Sequence, residues 1–263
     1  MEARTTIPLD IVLYIIDLLA DGDDVLDIRS LQTLSQACKS MVPLCRKYLF
    51  SSLHLASELR LERFSDLFSK NPDIACYVRN LNYGVDYPIS DFGLSIGLSI
   101  LEMLKEHSSL QSIALSSLGL LYWNDFPESI RSSLVSLIEL PTVTHLYING
   151  FKGFPATVLS SCRNLIELEL GDLEIASPEI DQVISRSKIL TPVSLYIGTD
   201  TFGLAAILNS SSLHPGGPIF DISHLQKAHF DVKSQDDIGQ TNELIKASKL
   251  LEHLEIETCA TGE

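Results

Sequence analysis

Basic residues are scarce in this chain. Nineteen Lys and Arg stand against 34 Asp and Glu, a formal net charge of −15. A phosphate backbone would meet repulsion over most of such a surface, so nucleic acid is not expected as a partner. Long apolar runs are also missing. None reaches the ~18 residues a membrane-spanning helix needs, so no membrane association is expected. The run Ile11-Val12-Leu13-Tyr14-Ile15-Ile16 is flanked by Asp10 and Asp17 and lacks a small-residue cleavage site, which makes it a mature helix rather than a signal peptide. The five cysteines (Cys38, Cys45, Cys76, Cys162 and Cys259) are odd in number, scattered, and free of any Cys-x-x-Cys. That usage fits a reducing compartment, cytoplasmic or nuclear, better than a disulfide framework. The acidic loop Asp21-Gly22-Asp23-Asp24 lacks the alternating acids and closing Glu of a calcium loop. No cofactor and no metal are expected.

Leucine, by contrast, fills 43 of the 263 positions, and apolar residues make up 45 % of the chain. Such a bias calls for a search for repeats. From residue 50 onward a Leu-x-x-Leu-x-Leu pattern recurs eight times, anchored on Leu53, Leu81, Ile113, Leu146, Leu168, Leu195, Ala228 and Leu254. The clearest copies are Leu165-Ile166-Glu167-Leu168-Glu169-Leu170 and Leu251-Glu252-His253-Leu254-Glu255-Ile256, and Leu146-Tyr147-Ile148 nearly repeats as Leu195-Tyr196-Ile197. Between anchors lie segments of helical character: 91–107, 127–140, 155–162, 178–187, 201–209 and 236–247. Strands joined by helical crossovers are parallel, and helices stacked on one side bend the array into a solenoid. His214-Pro215-Gly216-Gly217-Pro218 reads as a surface loop.

The first fifty residues have a different grammar, that of three short helices. Pro8 suits the opening turn of the first, Asp10 favours its N-terminal dipole, and Ile11, Ile15, Leu18 and Leu19 recur at helical spacing. Asp27 can cap a second helix with apolar positions Ile28, Leu31, Leu34 and Cys38, and Ser40 opens a third that runs to Phe50.

This segment resembles an F-box. Ile7-Pro8 matches the family's opening Leu-Pro, Asp10 its acidic residue two places later, and Ile11, Ile15 and Leu18 its aliphatic ladder. Leu31-Gln32-Thr33-Leu34-Ser35-Gln36-Ala37-Cys38-Lys39 is similar to the family's leucine, small, cysteine, basic stretch, and Pro43 to Phe50 is similar to the ending found in F-box proteins of mushroom-forming fungi. The repeats resemble the leucine-rich-repeat region that often follows an F-box. Together they predict an α/β fold: an F-box over residues 1–50, then an irregular leucine-rich-repeat solenoid over 51–263, with a curved parallel sheet and helices on its convex side. The resemblance implies a substrate-recruiting adaptor that performs no bond chemistry itself. Its F-box would dock on the Skp-type adaptor, and through it on cullin and RING subunits, using Ile7, Pro8, Ile11, Ile15, Leu31, Leu34 and Cys38. The alternative is a leucine-rich-repeat interaction module with no ligase role.

Because the anchors point inward, the positions between them face the concave surface. Its C-terminal half carries Tyr147, Glu167, Glu169, Tyr196, His229 and Glu255, aromatics among acids, a composition suited to gripping a basic protein target. Two other constellations have simpler explanations. Gly93-Leu94-Ser95-Ile96-Gly97 spells a hydrolase elbow, yet Ile96, Ile100 and Leu104 place Ser95 inside an amphipathic helix. In the repeat register His229 falls beside Glu255 and Lys227 beside His253; His229, His253 and Glu255 could together hold zinc, but surface polar pairing is the better account of them.

Overall fold

The computed structural model describes residues 8–20, 25–85, 90–162, 164–176, 191–198, 201, 220–233 and 235–258. Ile7, the 178–187 helical segment, nearly all of 201–209, the Pro-Gly loop at 214–218 and Cys259 lie outside them.

Alternating leucines dictate the centre of the molecule. The first seven anchors sit in strands whose residues there point by turns into and out of the core, while the last strand, carrying Leu254, is exposed along its length. Eight strands result: β1 (Ser52–Leu55), β2 (Asn80–Val85), β3 (Ser112–Tyr122), β4 (His145–Pro155), β5 (Glu167–Ala176), β6 (Ser194–Ile197), β7 (Lys227–Val232) and β8 (His253–Thr258). They form one parallel sheet in sequence order, so every strand pairs with the next repeat. The anchors meet in register across all seven junctions, from Leu53 opposite Leu81 to Ala228 opposite Leu254. One device recurs at each junction. A single carbonyl accepts two successive N–H groups from the incoming strand: Ser51 from Arg79 and Asn80, Thr144 from Ile166 and Glu167, Gln226 from Glu252 and His253, at 2.8–3.0 Å. The chain is thus a solenoid-like α/β array built on a single parallel sheet.

Helices cover one face of that sheet. The segment Asp91–His107 is helical as its apolar spacing predicts, capped by the Ser90 hydroxyl accepting from the Gly93 N–H at 3.1 Å. Ser95 is exposed on this helix, so the Gly-x-Ser-x-Gly spelling forms no strand-to-helix elbow. Gly97 instead lets the buried Tyr83 hydroxyl approach; a Cβ there would stand 3.3 Å from it. Helices Glu128–Ile138, Ala156–Ser161 and Gln235–Ala247 fall within or beside the expected segments. A further helix, Glu58–Lys70, buries Leu61 and Phe68 against the same core and is absent from the sequence expectation.

Strands β3, β4 and β5 run well past the repeat pattern. β3 bulges between Ser116 and Leu121, and Gly150 in β4 takes φ +81° beneath the Ser117 carbonyl, leaving no room for a Cβ. The extensions close over an aromatic cluster. Trp123 lies 4.8 Å from Phe154 and 6.0 Å from Phe151, both edge-on, and 5.8 Å from Phe126, all four rings buried.

The N-terminal residues form α1 (Leu9–Ala20), α2 (Val25–Ala37) and α3 (Met41–Leu49). They share a small core of their own, Ile16, Leu31 and Cys45, walled by Val12, Leu19, Leu34, Leu44 and Tyr48. This differs from the expected stripe in three ways. Ile11, Ile15 and Leu18 are exposed, because Ile16 rather than Ile15 faces α2 and α3. Leu31 is buried in the helical core, where it serves folding and offers no open contact. Helix α2 begins at Val25, ahead of Asp27, and ends at Ala37, so Cys38 lies beyond it, exposed, with its Sγ 3.0 Å from the Ser40 hydroxyl.

Candidate functional site

The face of the sheet opposite the helices carries the residues between anchors. Its N-terminal columns are bland, His54, Asn82 and Ala114 in line. From β4 onward the same row continues as Tyr147, Glu169, Tyr196, His229 and Glu255, each registered on the next. Parallel strands about 4.8 Å apart place these side chains shoulder to shoulder, so two phenols, two carboxyls and an imidazole share one continuous surface.

Over β4, β5 and β6 the face opens into a cleft of about 200 Å³ lined by His145, Tyr147, Glu167, Glu169 and Tyr196. At its mouth His145 Nε2 stands 3.3 Å from Glu167 Oε2. Burial pushes the Glu169 carboxyl above the usual carboxylate range and the neighbouring Glu167 charge adds to that, only partly offset by His229. Burial likewise raises the Tyr147 phenol, with Glu169 and Asp172 contributing. Both groups are thus biased toward their neutral forms chiefly by loss of water, with the neighbouring carboxylates adding to it.

Beyond the cleft, β6 to β8 build a tighter network. The Tyr196 hydroxyl donates to Asp231 Oδ2 at 2.7 Å, and its ring lies against the His229 imidazole with centroids 4.6 Å apart. His229 Nε2 is 3.0 Å from Asp231 Oδ1, and Nδ1 is 3.1 Å from Glu255 Oε2. Burial alone would lower the His229 imidazole, but Asp231 and Glu255 together outweigh it and hold the group above its ordinary value. Burial first, then the bond to Asp231, raises the Tyr196 phenol, which therefore remains a donor.

All six expected target-binding residues, Tyr147, Glu167, Glu169, Tyr196, His229 and Glu255, lie on this open face, five of them in one row and Glu167 beside Glu169. The zinc constellation considered from the sequence fares differently. The ligand atoms that come together belong to His229, Asp231 and Glu257, within 4.8 Å of one another, while His253 is not among them. The signal for Asp231 was the spacing itself, since residues two apart on a strand share a face. Of the expected adaptor contacts, Pro8, Ile11, Ile15 and Cys38 are exposed, Leu34 is half-buried, and Leu31 is core. The helix carries further exposed apolar groups that the sequence reading omitted: Leu9, Tyr14 and, on α2, Ile28.

A scan against protein-family models and a search of curated proteins return no match to this chain. Among the described residues, no helix is long and apolar enough to cross a membrane.

Proposed function

We propose that this protein is a substrate-recruiting adaptor of a cullin–RING ubiquitin ligase, its three N-terminal helices docking on a Skp-type adaptor and its sheet face holding a target protein. The observation that carries the proposal is the uncovered side of α1. Tyr14 is 63 % exposed, Leu18 55 %, Ile11 48 % and Ile15 43 %, on one face of one helix, while Val12, Ile16 and Leu19 on the adjoining face already satisfy the helical core. A helix apolar on both sides is a helix with a second partner. The F-box resemblance of residues 7 to 50 supplies the partner's identity in this reading, and the leucine-rich-repeat resemblance supplies the target-holding role of the rest.

The target is a protein with a basic segment. The open-face cleft unites acids, which attract such a segment over distance, with two tyrosines that present large area at small rotamer cost and accept a cation on the ring. The protein itself breaks no bond. Its contribution is proximity, raising the effective concentration of target lysines beside the charged conjugating enzyme.

Co-expression with a Skp-type adaptor tests this reading. Wild type should co-purify with it. Ile11→Asp with Ile15→Asp should abolish capture by placing charge in an apolar contact, and since both side chains are exposed the fold should survive. Tyr147→Ala with Tyr196→Ala should leave adaptor capture intact and abolish target capture. A wild-type chain that captures a target but no adaptor would be an interaction module outside any ligase.

A further inference from the structure

We propose that His229 Nε2, Asp231 Oδ1 and the Glu257 carboxylate form a binding site for one divalent transition-metal ion of the zinc class on the open face of β7 and β8. One ligand atom from each residue lies within 4.8 Å of those of the other two. A tetrahedral ion with ligands at ~2.0–2.1 Å separates them by about 3.3 Å, a contraction that the exposed Glu257 side chain can supply by rotation.

Two of the three ligands are already oriented by neighbours that are not ligands. Glu255 faces His229 Nδ1 at 3.1 Å and, being an acceptor only, would hold a proton on Nδ1 once an ion takes Nε2. This is the carboxylate–histidine arrangement that sets ring orientation and raises ligand basicity at metal centres. The Tyr196 hydroxyl occupies Asp231 Oδ2 at 2.7 Å and leaves Oδ1, the oxygen nearest His229 Nε2, available. The Tyr196 ring packs on the imidazole and limits its rotation. A surface pairing of acids with one histidine needs none of this second layer.

Charge points the same way. Asp231, Glu255 and Glu257 converge on a single imidazole, and the chain as a whole carries −15. Without a metal the imidazole bridges the Asp231 and Glu255 carboxylates. Any proton on Nε2 leaves to solvent when an ion takes that lone pair. One nitrogen and two carboxylate oxygens suit Zn²⁺ and its Co²⁺ surrogate, with the remaining position open to water or to a side chain of a bound partner.

The test is calorimetric titration of the chelator-treated full chain with ZnCl2, and with CoCl2 while recording visible absorption. Wild type should bind one equivalent and give the intense d–d bands of four-coordinate Co²⁺. Asp231→Asn and His229→Ala should each weaken Zn²⁺ binding at least about tenfold. Glu257→Ala should do likewise, and it alters a side chain on a fully exposed strand, so its failure to bind cannot be assigned to unfolding. Tyr196→Phe keeps every ligand and should still cost about tenfold, within the 10–100-fold range of outer-layer partners. His145→Ala, on the cleft side of the same face, should leave affinity unchanged. Binding that survives Glu257→Ala, an unaltered affinity in Tyr196→Phe, or no uptake by wild type at 100-fold molar excess of ZnCl2 would each overturn the proposal.

Discussion

Helix α1 and strand β5 are both rich in aliphatic side chains, and the molecule treats them in opposite ways. In β5, Leu168, Leu170, Leu173 and Ile175 are all buried, and the residues between them are mostly acidic. In α1, Ile16 is the one fully buried residue, while Leu9, Ile11, Tyr14, Ile15 and Leu18 stand open. The strand's apolar groups have a partner within the chain because helices cover that side of the sheet. Those of α1 exceed what a three-helix core can enclose. Apolar content alone therefore does not mark a core: the same residue types are enclosed in β5 and left open in α1.

Substitutions sharpen that contrast, the largest effect lying where the sheet core is densest. Trp123 sits among Phe126, Phe151 and Phe154, and Trp123→Ala should cost about 3–5 kcal/mol in urea unfolding, because three ring contacts, two of them edge-on, and their buried area vanish together. Next comes the alternation within β5. Leu168→Ala should cost about 2–5 kcal/mol, whereas Glu169→Ala should leave the midpoint close to wild type or raise it, since its carboxylate is held in an unfavourable setting. Equal losses from the two would break the inward and outward assignment. On α1 the expectation reverses: Ile11→Ala should stay within about 0.5 kcal/mol of wild type in stability while weakening adaptor capture. A stability loss comparable to that of Leu168→Ala would mean that Ile11 is packed in solution and would remove the case for docking.

The strand register was fully legible in the residues. All eight anchors align as the Leu-x-x-Leu-x-Leu spacing requires, because a slip of one position would turn every leucine of a strand to solvent. The helix Glu58–Lys70 was missed, although Leu61, Phe64 and Phe68 stand at helical spacing after Ser57, because its polar surroundings masked the pattern. What the sequence withheld were facts of packing. The repeat motif describes only the start of β3 and β4, so nothing local announces that Trp123 and Phe154 will meet across neighbouring repeats. Periodicity gave α1 an apolar face but not the choice between the Ile15 and Ile16 sides, which depends on where α2 and α3 lie. At the site, lateral register placed Glu255 beside His229, where it closes on Nδ1, but the group that closes on Nε2 is Asp231, the neighbour two residues along the same strand.

The smallest expected effect concerns the one imidazole that the open face holds between two carboxylates. Glu169, Tyr196, Asp231, Glu255 and Glu257 surround His229, and the net result is a proton affinity above that of an unfolded histidine. A group whose folded pKa is raised contributes stability that is fully present below its unfolded value, ~6.5, and lost as pH climbs through the folded value. Measured with chelator present, so that no ion competes for Nε2, the difference in urea midpoint between wild type and His229→Gln should shrink from pH 5 to pH 8. The subtraction removes the titration of groups that His229 does not touch and reports the imidazole together with the carboxylates coupled to it. A gap that widens with pH would mean that His229 is held neutral by burial, with Asp231 and Glu255 too weakly coupled to it to bind a proton or to orient the ring for a metal.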